Sequence, residues 1–136
     1  IKNGEFAYNR STSDGYPVGT VKRLDKYEMG VLSTLYIIFA LNNDKLNSDF
    51  LSASFETNNW YEHIYQRAAE GARNHGLLNI SSDDFMDMTI LVPKSNLEQR
   101  QIAQSVISLM HLVENSSIKL TKLRSIKQSL LQKMFV

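Results

Sequence analysis

The sequence predicts an α+β chain: a small mixed α/β globule followed by a long projecting carboxyl-terminal helix that forms a coiled coil. Three observations predict it. Short apolar runs and amphipathic stretches alternate with turn residues up to Pro93. No Gly or Pro occurs from Lys94 to Val136. Within that last stretch apolar residues recur every seven positions. The boundary is therefore set at Pro93, dividing the chain into residues 1–93 and 94–136.

In the first region, Glu5 to Tyr8 and Thr20 to Leu24 are candidate strands around a Ser/Thr/Gly/Pro loop, Ser11 to Gly19, with Asp14-Gly15 and Tyr16-Pro17 marking tight turning. Gly30 precedes Val31 to Leu41, whose β-branched and aromatic content favours strand. Asn47 to Phe55 reads as a helix capped by Asn47 or Ser48. Asn59 to Ala69 reads as another, with Trp60, Ile64 and Ala68 on one face. Leu77 to Ile80 and Thr89 to Val92 are expected to be short strands. Ser81-Ser82-Asp83-Asp84-Phe85 between them suits a capped helical turn.

The second region opens on Ser95-Asn96-Leu97-Glu98, the S-x-x-E spacing of a capping box. One heptad series is Ile102, Leu109, Ser116, Leu123 and Leu130; the other is Val106, Val113, Leu120, Lys127 and Met134. Taking the first as d and the second as a leaves only Ser116 and Lys127 polar. The expected interface is therefore Ile102, Val106, Leu109, Val113, Leu120, Leu123, Leu130 and Met134. A continuous helix of this length spans about 60 Å, against roughly 30 Å for a globule of this size, so its apolar stripe calls for another helix. Glu114-Asn115-Ser116-Ser117 is the weak point, where a kink or a hairpin folded back on the globule is the alternative.

The 136 residues suffice for one modest core plus an appendage, and with 43% hydrophobic and 21% charged residues the composition is that of a folded soluble protein. No apolar run approaches the roughly 20 residues that cross a bilayer, so no membrane association is expected. The absence of cysteine excludes disulfides and thiolate metal sites and fits a reducing, cytoplasmic setting. Net charge is +1, but it is unevenly spread: residues 94–136 carry seven Lys/Arg against two acids, residues 1–93 eight against twelve. Ile1-Lys2-Asn3-Gly4-Glu5 has neither signal-peptide character nor the look of a natural start, and a fragment of a longer chain is expected.

Nothing in the sequence assembles a catalytic or metal constellation, and no cofactor is expected. The histidines are His63, His75 and His111, and Arg67 stands where an H-E-x-x-H zinc motif needs its second histidine. No G-x-S-x-G elbow occurs. Gly71 to Gly76 lacks the spacing of a phosphate loop, and Asp83, Asp84 and Asp87 are better explained by helix capping than by metal binding. Two polar clusters carry residue types that bond phosphates and base edges. The first comprises Tyr8, Asn9, Arg10 and Ser11 with Lys22 and Arg23. The second is a glycine-flanked loop with Arg73 and Asn74, beside Arg67. The bland readings are an ordinary polar hairpin and a helix C-cap at Gly71.

The order of features resembles the specificity subunit of type I restriction-modification enzymes. Gly30-Val31-Leu32-Ser33-Thr34-Leu35-Tyr36-Ile37-Ile38-Phe39 resembles the G-V-x-S-x-x-Y-x-x-F stretch of its target-recognition domains. Gly71-Ala72-Arg73, Ile80-Ser81, Phe85 and Ile90-Leu91-Val92-Pro93 follow the family's G-x-R, I-S, F and hydrophobic-Pro succession. Leu97-Glu98-Gln99-Arg100-Gln101-Ile102-Ala103 is similar to its L-x-E-Q-x-x-I-A helix start, and Leu130-Leu131-Gln132-Lys133-Met134-Phe135 to its L-L-Q-x-M-F tail. The resemblance implies a non-catalytic subunit in which a target-recognition domain reads one half of a split duplex-DNA target. It implies antiparallel pairing of the long helix with that of another specificity domain or, in a half-subunit, homodimerisation. Modification (methyltransferase) subunits, and restriction subunits in the full complex, are the implied partners. Residues 1–93 correspond to the later portion of a recognition domain. The competing expectation is a coiled-coil scaffold that organises partner subunits without reading DNA.

Overall fold

In the computed structural model, residues 1–68 and 76–135 are described. Three short strands, β1 (Phe6–Asn9), β2 (Thr20–Arg23) and β3 (Ile37–Phe39), form an antiparallel sheet in the order β2-β1-β3. Phe6 lies opposite Arg23 on one side and Phe39 on the other, so β1 is the central strand. Both of its edges are occupied, and Phe6, Ala7 and Tyr8 are all buried. The β1–β2 connection closes at Gly19, whose φ is +79° and where a Cβ would lie 2.1 Å from the Asn9 carbonyl oxygen. Only glycine fits both demands.

The helices are α1 (Ser48–Phe55), α2 (Tyr61–Arg67), α3 (Ser82–Met86) and α4 (Asn96–Met134). Asn47 caps α1, its Oδ1 accepting from the Asp49 and Phe50 amides, and Ser81 caps α3 by accepting from Asp84. The core is an aromatic cluster between sheet and helices. Tyr8 stacks on Phe85 with ring centroids 4.4 Å apart, Phe6 stacks on Phe39 at 5.4 Å, and Trp60 meets Phe55 edge-on while donating its Nε1–H to the Phe55 carbonyl. His63 and Arg67 of α2 reach α3: His63 Nε2 lies 2.7 Å from the Asp84 carbonyl and Arg67 pairs with Asp87. Asp87 thus ties α3 to α2, and Asp84 Oδ2 accepts from the capping Ser81 hydroxyl.

Several expected strands are shorter or absent. Only Ile37–Phe39 of the stretch Val31 to Leu41 is strand; Ser33 to Tyr36 is a turn closed by Tyr36 N–H donating to Ser33 O. Leu77 to Ile80 makes a single bridge, Leu77 to Ser11, instead of a strand, and Thr89 to Val92 has no strand partner. β2 and β3 take both edges of β1, and neither segment pairs with the outer edge of β2 or β3. Trp60 precedes α2 instead of lying within it, although Trp60 and Ile64 are both buried as their spacing predicts.

α4 is one uninterrupted helix of 39 residues, about 58 Å long at 1.5 Å per residue. Glu114 to Ser117 lie within it, so the alternative of a hairpin at that point is excluded. Its start is the hydroxyl half of the expected box, Ser95 Oγ accepting from the Glu98 amide. The root packs on α1: Ala103 and the half-buried Val106 sit against Phe50 and Ala53.

Candidate functional site

Two surfaces carry the residues singled out in the sequence, and the structure treats them in opposite ways. On the β1–β2 hairpin the polar candidates are engaged with their own chain. Tyr8 is fully buried and its hydroxyl donates to the Val18 carbonyl at 2.8 Å. Burial raises its phenol pKa well above the ordinary value, opposed only in part by the positive charge of Arg10. It is a core residue. Asn9 is half-buried and its Oδ1 accepts from the Ser11 amide, a local turn that also holds Ser11. Arg10 donates from Nε to the Leu35 carbonyl at 2.8 Å and from Nη1 to the Ile80 carbonyl at 3.1 Å, tying three segments of coil together.

The hairpin's outward cations are paired. Lys22 bonds Glu56 at the end of α1. Arg23 bonds Asp25, Ser48 Oγ and Asp49, with its guanidinium 6.0 Å from the Phe6 ring centroid. Burial works against its charge, but the bonds to Asp25 and Asp49 outweigh it and raise its pKa above the usual value. The two differ in how readily they could change partner. Lys22 is exposed, and a surface pair is worth about 1 kcal/mol at most, so Glu56 holds it weakly. Arg23 has a side chain only 16% exposed and three acceptors, and is held in place. Arg73 and Asn74, the candidates in the glycine-flanked loop, lie outside the described residues.

α4 presents the reverse situation. Only Gln99 and Ala103 of its residues are buried, and past Ile107 every described residue is exposed. Leu109, Val113, Leu120, Leu123, Leu130 and Met134 are between 49% and 73% exposed, with Ile102 at 39%. All eight seam residues lie on this one continuous helix, with Val106 turned partly toward α1. Met110, Leu112, Ile126 and Leu131, at the e and g positions beside the seam, are exposed as well and widen the stripe. The a/d reading alone omitted them, though the same heptad arithmetic would have found them.

Two features at the root were not legible in advance. Gln99 is 1% exposed and fully bonded: its amide nitrogen donates to the Lys45 and Pro93 carbonyls, each at 2.9 Å, and its oxygen accepts from the Asn47 amide at 2.8 Å. One side chain thus joins α4, the segment before it and the cap of α1. Beside it lies a groove of about 560 Å³ lined by Phe50, Phe55, Trp60, Leu91, Ile102 and Val106 among others. Ile102 and Val106 belong to both groove and seam, so the stripe runs into the groove.

No helix among the described residues is long and apolar enough to cross a membrane. The chain matches no family model, no curated protein and no solved structure. Function is therefore argued from the geometry and from the residues themselves.

Proposed function

We propose that this chain is a recognition-and-spacing piece of a type I restriction-modification specificity subunit: the globule contacts one half of a bipartite duplex target, and α4 pairs with a second such helix that fixes the distance between halves. Methylation and cleavage belong to modification and restriction subunits docked on this scaffold. The observation that supports the reading is a rigid 39-residue helix whose apolar stripe its own globule leaves uncovered, bounded by the helix-start and tail motifs quoted above. A rod of this kind supplies spacing, and spacing is what a split target requires.

The test is selection from a randomised duplex library by the full chain assembled with its modification subunits. The expected outcome is a bipartite motif of fixed spacing, with affinity falling steeply as salt rises because phosphate contacts release counterions. Recovery of no motif overturns DNA reading.

A second reading, a coiled-coil scaffold that does not read DNA itself, is favoured by one specific observation. Tyr8, Arg10 and Arg23 already bond within the chain, which leaves few free donors on the hairpin. Under this reading the complex still assembles but another subunit supplies the motif, and Lys22→Ala changes neither affinity nor salt slope.

A further inference from the structure

The outer face of the sheet carries a cavity that neither helix pairing nor DNA reading calls on. Side chains along a strand alternate between faces, and Phe6 and Tyr8 point into the core. Ala7 and Asn9 therefore point outward, with Lys22 and Thr20 in register beside them on β2. Between β2 and β3 the chain returns over this face, where Leu24, Leu32 and Tyr36 wall it in. The result is a cavity of about 280 Å³ above Ala7. We propose that it binds a small free aromatic acid, with one flat ring over Ala7 and one negative charge on Lys22.

The lining sets the chemistry of the ligand. No carboxylate lines the cavity, and each polar side chain that does can donate a hydrogen bond. Asn9 uses its Oδ1 on the Ser11 amide, which leaves its Nδ2 unbonded among the described residues. The Thr20 and Tyr36 hydroxyls have no partner among the described residues either, and none of these groups is a buried orphan. Each is therefore open to a ligand. The Lys22 ammonium gives one proton to Glu56 and keeps two. A ligand rich in acceptors and negatively charged answers this set.

Charge and size narrow the class. Arg23 is taken up by Asp25, Ser48 and Asp49, so Lys22 supplies the available cation at the cavity. A single cation that already faces Glu56 suits a monoanion. A phosphate monoester, with about −1.5 to −2 charges at neutral pH, would be repelled by that carboxylate. Pockets for drug-sized ligands run about 300–1,000 Å³, so this one admits a single ring and its substituents. The flat shape follows from the floor, since paired strands present a plane and the small Ala7 lets a ring approach it.

The walls are set before any ligand arrives. Tyr36 N–H donates to Ser33 O, and Arg10 Nε holds the neighbouring Leu35 carbonyl. Leu24 is pinned at both ends, its amide donating to Glu5 O and its carbonyl accepting from Gly4. Binding thus orders little of the chain, as the few contacts of a small ligand require.

The test titrates the full chain with 4-hydroxybenzoate and follows backbone amide shifts. Shifts at Ala7, Thr20 and Lys22 are expected, with a dissociation constant of about 0.1–1 mM for a ligand of about ten non-hydrogen atoms. Phenol, which lacks the charge, and acetate, which lacks the ring, should each bind about tenfold more weakly or worse. Lys22→Met should weaken 4-hydroxybenzoate about fivefold or more, whereas Glu56→Gln, which removes the competing acid, should tighten it about twofold. A merely structural Lys22–Glu56 pair would respond alike to both variants. Ala7→Leu fills the floor and should abolish binding, with Trp60 emission, from the core side of Tyr8, reporting an intact fold. Should that variant not fold, the exposed Lys22 and Glu56 variants still decide. No shifts at about 10 mM ligand, or shifts that Lys22→Met and Glu56→Gln leave unchanged, overturn the proposal. A folded Ala7→Leu chain that still binds does the same. So does binding confined to a single-stranded oligonucleotide, which assigns this face to DNA contact.

Discussion

The globule and the distal part of α4 are built from similar apolar residues and use them in opposite ways. Phe6, Tyr8, Ile64, Ile80 and Phe85 are at most 2% exposed because sheet and helices close around them. Leu109, Val113, Leu120 and Leu123 stand in solvent, because no other element among the described residues reaches them. The difference teaches that one sequence can close a core in one region and leave an apolar stripe uncovered in another. Substitutions that separate stability from association show how clean this division is.

The largest effect on folding is expected at Phe85, which contacts Tyr8, Phe39 and Phe55 at once. Phe85→Ala is expected to cost about 3–5 kcal/mol, measured by urea denaturation, which in a domain this small approaches complete unfolding. Gln99→Leu comes next. It leaves the Lys45 and Pro93 carbonyls and the Asn47 amide without their partner, and a loss of about 2–3 kcal/mol is expected, with faster amide exchange at Asn47.

Tyr8→Phe is milder, about 1–2 kcal/mol, because it strands only the Val18 carbonyl. It also carries a pH signature. The folded phenol keeps its proton above the ordinary tyrosine value, near 10, at which the unfolded chain gives it up. The Tyr8 contribution is thus complete below pH 10 and declines above it. Wild type should lose more stability than Tyr8→Phe between pH 9 and 11 in parallel urea titrations.

The smallest effect on folding marks the other side of the comparison. Leu123→Asp is expected to leave the globule's unfolding midpoint within about 0.5 kcal/mol of wild type in free energy, since an exposed helix position loses no packing. Its effect should appear in sedimentation, as loss of the helix pairing proposed above. A large shift in the midpoint would mean that the arm's stripe contributes to the globule after all.

Local signals were readable in the sequence and non-local ones were not. Asn47, Ser81 and Ser95 each cap the helix they announce, because a cap needs only its own next few residues. The β1–β2 pair and a long α4 follow from turn chemistry and periodicity in the same way, whereas the continuity of α4 through Glu114 to Ser117 does not. Val31 to Tyr36 and Thr89 to Val92 have strand-like composition but not strand structure, since a strand also requires a partner brought alongside it, which composition does not supply. The candidate contacts meet the same limit. Arg10 and Arg23 have the donors that grip phosphate, yet the same donors grip the Leu35 carbonyl and the Asp49 carboxylate, and side-chain type does not say which acceptor is nearer. Gln99 looked like one more polar residue on a solvated helix, because its three partners are distant in sequence or lie in the preceding turn.

The bonds at Gln99 have a mechanical consequence for the rod that grows from it. Apolar contact alone is indifferent to small rotations, whereas three directional bonds on one amide fix an angle. Beyond that peg roughly 50 Å of helix remains, so a tilt of about 5° at the root swings the tip by about 4–5 Å, the width of a side chain. Aim at the far end is thus trimmed by one carboxamide near the pivot, acting with the seat of Ala103 and Val106 on α1.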